Sequence, residues 1–196
     1  NSFYNILGHF FPLLVGLISI PLLIQLLGLE RFGILSVIWL LIGYFSLFDF
    51  GLSRIITVKI SELTTAEKNT EANLVFWTSM RLIAIATLIG AGSLMTVTFF
   101  KDHFQNLISP KIFIETFSSL TVIALSLPAV TLTSGVKGAL EADNKFLGLN
   151  IIQALMGCCN FLVPLWVGHS TVDLFNIVLS LCVLRYFFLI IYFVYL

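Results

Sequence analysis

Asn1–Leu29 and Leu82–Phe100 contain no Asp, Glu, Lys or Arg, and apolar stretches of that length leave a chain few ways to fold. A helix crossing about 30 Å of hydrocarbon needs about 20 mostly apolar residues at 1.5 Å each, and both stretches meet that length. The remaining composition agrees: 59% of residues are hydrophobic, 10% are charged, and mean hydropathy is +1.06. A soluble domain of this size needs a charged surface that these residues cannot supply. The expected class is therefore an all-α integral membrane protein. The runs are long, continuous and not alternating, which excludes barrel strands.

Charged or turn-forming connections separate six apolar segments, expected as helices over about 3–27, 34–54, 74–100, 113–136, 146–167 and 174–196. The second is expected to pass Asp49 and Gly51 and continue beyond Arg54 as an amphipathic extension, before a polar loop over 61–73. Ten basic and ten acidic residues balance, with no basic run for nucleic acid. Arg54, Lys59, Lys68, Lys137 and Lys145 fall in connections on one side, and Arg31, Lys101 and Lys111 on the other, with Glu115 at that outer interface. This bias puts the N-terminus in the cytoplasm. The first apolar stretch is too long, and lacks the basic start, for a cleavable signal peptide. The chain begins without Met and ends at Leu196 inside an apolar run, so it is expected to be a fragment of a longer protein.

Polar groups inside the segments point to function. In the fifth, Asn150, Gln153, Gly157, Asn160 and Pro164 follow steps of three and four, hence one helical face. Amides facing lipid would go unpaired at several kcal/mol each, so the stripe should face other helices or a wet cavity, two options of equal weight here. Similar stripes occur in the first segment (Asn5, His9, Pro12, Gly16, Ser19) and the second (Ser36, Gly43, Ser46, Ser53, Thr57). In the fourth, Ser126, Thr131, Thr133 and Ser134 surround Pro128, which removes a backbone hydrogen bond and invites a kink.

Two arginines are sharper signals. Arg185 lies about 16 Å into its segment, near the midplane, and Arg81 about 10 Å in from the cytoplasmic end. A central Arg costs about 2.5–3.5 kcal/mol on insertion scales, and intramembrane ionisable groups tend to line pathways. Arg185 is too deep to snorkel comfortably, which favours function. For Arg81, function and snorkelling weigh equally. A guanidinium in a wet cavity suits an anion such as phosphate, which it grips with two parallel hydrogen bonds. Asp49 and Arg54 either pair or mark a helix boundary, and the boundary is favoured. Cys158, Cys159 and Cys182 have neither disulfide nor metal spacing, and His9, His103 and His169 are scattered. No metal site, catalytic triad or cofactor is expected.

The stretch Pro21-Leu22-Leu23-Ile24-Gln25-Leu26-Leu27-Gly28-Leu29-Glu30-Arg31-Phe32-Gly33 resembles the end of the first helix in bacterial polysaccharide flippases. Gly43-Tyr44-Phe45-Ser46-Leu47-Phe48-Asp49-Phe50-Gly51-Leu52-Ser53-Arg54 resembles their second helix, and Leu140-Glu141-Ala142-Asp143-Asn144-Lys145-Phe146 their loop between helices four and five. The group comprises the O-antigen and oligosaccharide-lipid flippases of the multidrug/oligosaccharidyl-lipid/polysaccharide exporter superfamily. The resemblance covers essentially the whole chain and implies the N-terminal six-helix lobe of a two-lobed exporter in the bacterial inner membrane. It further implies a non-enzymatic role: flipping undecaprenyl-diphosphate-linked O-antigen or other oligosaccharide units for surface polysaccharide and lipopolysaccharide biosynthesis. The partners implied are the lipid-linked oligosaccharide, membrane lipids and other polysaccharide-assembly membrane proteins. The motifs include neither Arg81 nor Arg185, whose assignment to a substrate cavity with Asn150, Gln153 and Asn160 rests on depth and periodicity. The competing functions are a cation-coupled drug exporter of the same superfamily and a membrane polymerase or acyltransferase. The deep basic charges disfavour the first, and the short outer loops disfavour the second.

Overall fold

The computed structural model describes residues 2–45, 51–100 and 110–196, and of residues 2–9, 45, 97 and 110–112 the backbone alone. Ser46, Asp49, Lys101, Asp102, His103 and Ser109 lie outside the described residues, as do the side chains of Asn5, His9 and Lys111. The described residues form seven helices: α1 (Ser2–Leu27), α2 (Leu29–Phe45), α3 (Leu52–Thr65), α4 (Asn69–Phe99), α5 (Pro110–Ala142), α6 (Phe146–Ser170) and α7 (Leu174–Tyr195). Helices α1, α4, α5, α6 and α7 are long and apolar enough to cross a bilayer. Leu17, Leu40, Leu88, Ile89, Trp166 and Ile190 project outward from five different helices. An all-α bundle with this apolar exterior is an integral membrane protein.

Several boundaries depart from the sequence expectation: α2 begins five residues early at Leu29, and α3 to Thr65 and α4 from Asn69 take up most of the polar loop expected over 61–73. The segment expected over 34–54 corresponds to α2 and the start of α3. Gly51, at φ 76°, opens α3 as a separate 14-residue helix, a backbone angle that glycine adopts without steric cost. Ile56 and Ile60 bury one face of α3 while Arg54, Lys59 and Glu62 stay exposed. The amphipathic extension therefore exists, but it has its own axis. Helix α5 overruns its expected end at Val136 by six residues and carries Lys137 within the helix. Gly138 lets the extended end pack closely on α3. A Cβ there would lie 2.5 Å from the Ser53 carbonyl oxygen, so α5 and α3 meet backbone to backbone.

Helix α5 occupies the centre and packs on α2, α3, α4, α6 and α7. It runs antiparallel to α4, where the Thr87 and Thr131 hydroxyls bond. It is parallel to α7, where Tyr186 Oη donates to the Leu125 carbonyl at 2.8 Å. Around Pro128, Ser126, Thr131, Thr133 and Ser134 all return their hydroxyls to carbonyls of their own helix. Those expected hydroxyls thus serve the backbone. Helices α1 and α6 run parallel along a seam of small residues. A Cβ on Gly157 would meet Pro12 at 2.5 Å, and one on Gly16 would meet Phe161 at 2.9 Å. Such close backbone approach is the usual way membrane helices gain packing contacts. The bundle thus has a lower end, where α1, α4 and α6 begin and α5 and α7 finish, and an upper end opposite.

One carboxylate fastens the upper end. Arg31 Nε and Nη2 donate to both oxygens of Glu115 at 2.9 and 2.7 Å, and the Leu174 backbone N–H donates to the same carboxylate at 3.3 Å. Three helices meet there. Glu115→Ala leaves a half-buried guanidinium without its fork and is expected to cost about 2–3 kcal/mol. Denaturant titration of the purified protein in detergent checks this, and Glu115→Gln, which keeps an acceptor for Leu174, should lose less.

Candidate functional site

Arg185 is the deepest charge in the described bundle. It stands halfway along α7, about 16 Å from either end of the helix, and is only 7% exposed. Leu181, Cys182, Phe188 and Leu189 bury the same face of α7, so the helix turns its one guanidinium inward with its core residues. It opens on a cavity of about 350 Å³ between α1, α2, α5, α6 and α7. The polar wall of that cavity is made by Arg185, Lys137, Asn160, Thr133 and Ser134. Pro12, Trp39, Ile42 and Phe161 line the rest.

Lys137 and Arg185 give this cavity its chemistry. Sequence reading placed Lys137 in a loop, but it stands one and a half turns inside α5. Its ammonium lies 3.5 Å from Gln153 Oε1 and 5.3 Å from the centre of the Tyr192 ring. Lys137 and Ser134 also line a second chamber of about 190 Å³ with Ser53, Arg54, Thr57, Gly138 and Glu141. The two chambers share these residues, so polar walls continue from Arg185 toward the lower end beside α3. A signal for Lys137 was present: Val130, Thr133, Ser134, Lys137 and Glu141 follow helical spacing on one face of α5.

The expected site residues divide accordingly. Arg185 and Asn160 share the upper chamber, and Gln153 joins them through Lys137. Arg185 Nε and Asn160 Oδ1 are buried and find no hydrogen-bond partner among the described residues. Groups in that state are costly unless a ligand or water engages them. Asn150 is buried closer to the lower end, and its Nδ2 donates to the Phe146 carbonyl at 2.9 Å. It serves the first turn of α6 and does not line the cavity. Arg81 lies elsewhere. Helix α4 buries Phe76, Met80, Ile83 and Thr87 against its neighbours, and Arg81 is exposed on the outer side. A larger groove of about 620 Å³ between α2 and α5 is nearly all apolar and offers little to orient a polar ligand.

Arg185 and Lys137, with the half-buried Glu141 on the Lys137 side, leave the upper chamber lined by two cations and no acid among its described lining residues, which favours an anion there. The Asn160 amide adds neutral hydrogen-bonding capacity on the α6 wall, and Gln153 of the same helix holds Lys137. Among the described residues no group of three His, Cys, Asp or Glu side chains could hold a metal.

A curated protein of Shigella flexneri named "Putative O-antigen transporter" is 28% identical over 166 residues, which is 84% of this chain and 38% of that protein. The chain therefore spans under two fifths of the relative's length. No protein-family model and no solved structure matches.

Proposed function

We propose that this chain forms the N-terminal lobe of a flippase that moves a diphosphate-linked oligosaccharide lipid across the bacterial inner membrane, with its lower end in the cytoplasm. The observation that carries this proposal is the cavity that places Arg185 and Lys137 together inside a lipid-embedded bundle. A phosphate-bearing headgroup meets two cations there, while its sugars meet Gln153, Asn160 and the Thr133 and Ser134 hydroxyls. Moving a glycan through hydrocarbon requires such shielding, because each unpaired hydroxyl is costly to bury. The distant relative's name supports a polysaccharide-transport role, and the motifs in α1–α3 and at the α5–α6 turn agree with it. The basic cavity wall speaks against a cation-coupled drug exporter, which would favour acidic groups in this position. Alternating access between two lobes would supply the motion.

A leaflet-accessibility assay tests this directly. Intact protein reconstituted with a fluorescent lipid-linked glycan should move label between leaflets, and Lys137→Gln should slow it about tenfold or more, the loss of one charge-assisted contact. Label confined to one leaflet in the wild type rejects transport. Wild-type rates in Lys137→Gln reject the role of the lysine.

A further inference from the structure

We propose that the outer face of α4 holds a membrane phospholipid by its phosphate, with Arg81 as the clamp. Arg81 sits about 10 Å beyond the start of the apolar part of α4, on the exposed side. It makes no ion pair with any described residue. A lone guanidinium at that depth in hydrocarbon is unfavourable, and no described acid pairs with it.

The helix supplies the direction of escape. Side chains on an α-helix lean toward its N-terminus, so Arg81 extends back toward the lower end of the bundle. There it shares a groove of about 410 Å³ with Thr70, Glu71, Asn73, Leu74 and Trp77. Thr70, Leu74, Trp77 and Arg81 follow steps of four, three and four, a single strip. Beyond Arg81 the strip is purely apolar, with exposed Ile85, Leu88 and Ile89. Trp77, 51% exposed, marks the level at which an amphipathic ring is most stable, between headgroups and acyl chains. Glu71, the one acid in the groove, is held by Lys68 at 3.2 Å, which leaves Arg81 as the free charge.

A phosphodiester at headgroup level completes this arrangement. It accepts two parallel bonds from Arg81, the Thr70 hydroxyl and Asn73 amide add donors, and its acyl chains run along Ile85 and Leu88. Diacylglycerol has the chains without the phosphate, so it should not be retained. The site is separate from the cavity around Arg185, and its failure would leave the transport proposal standing.

The intact protein, purified in detergent and titrated with phosphatidylglycerol or with diacylglycerol of the same chains, should retain the phospholipid alone in native mass spectra. Arg81→Ala should lower that retention about tenfold, a bidentate ionic contact, and Lys59→Ala, an exposed cation outside the groove, should leave it unchanged. A headgroup spin-labelled phospholipid should quench Trp77 in a variant keeping that tryptophan only, and quench it less once Arg81→Ala is added. Equal retention by wild type and Arg81→Ala, or equal binding of diacylglycerol, overturns the proposal. So does protection of Arg81 by protein instead of lipid, seen as cross-links from that position to another polypeptide segment.

Discussion

Arg185→Ala in the intact protein is expected to abolish surface polysaccharide while the protein still inserts and accumulates. Charge-assisted hydrogen bonds contribute about 1.5–3 kcal/mol each, so losing a two-bond fork weakens anion binding by a factor of a few hundred or more. The stability effect should have the opposite sign. Arg185 is nearly fully buried and its Nε has no partner among the described residues. Replacing such a charge by an apolar group of similar length removes a desolvation penalty. Arg185→Met should therefore unfold at equal or higher denaturant than the wild type while transporting no better than Arg185→Ala. Arg185→Lys keeps charge without the fork and should fall between. Normal polysaccharide in Arg185→Ala, measured by immunoblot of cell-surface material, would remove this residue from the mechanism.

The second large effect is expected at Gly138. The atom that an added Cβ would meet there is the backbone oxygen of Ser53, which cannot rotate away as a side chain would. Gly138→Val should push α3 off α5 at a cost of about 1–3 kcal/mol or more, as overpacked cores do. Because Ser53, Thr57 and Gly138 wall the lower chamber, the displacement should also disturb transport. Limited proteolysis should cut within 51–68 faster in Gly138→Val than in the wild type. Gly148→Ala offers a contrast. Its Cβ would meet the Tyr195 ring, near the end of the last helix, where a side chain can yield, and stability should drop less.

Much of the bundle was legible because lipid imposes one rule, that backbone polar groups bond within the segment. Apolar run length therefore located the five long helices, although α2 and α3 were read as one segment and α4 and α5 extend five and six residues beyond it. What the rule does not contain is which way a side chain faces. Depth favoured function for Arg185 and left Arg81 evenly balanced, yet it assigned both to one cavity, whereas the buried stripe of Phe76, Met80, Ile83 and Thr87 leaves Arg81 on the other side of α4. Lys137 was missed for the converse reason. A charge near the end of an apolar run looks like a boundary, although the helical spacing of Val130, Thr133, Ser134, Lys137 and Glu141 runs past it. The stripe on α6 divides: Asn150 bonds its own backbone, Gln153 bonds Lys137, and Asn160 lines the cavity.

The seam between α1 and α6 decides how the cavity can change shape. Two helices in contact through missing side chains shift together, as a single blade. Neutral amides ride on that blade, whereas both cations belong to α7 and the central α5. In the proposed flippase, swinging the blade would let go of sugars first and leave phosphate moored, a release in two stages. The Lys137–Gln153 contact spans that divide, so any such swing must break it.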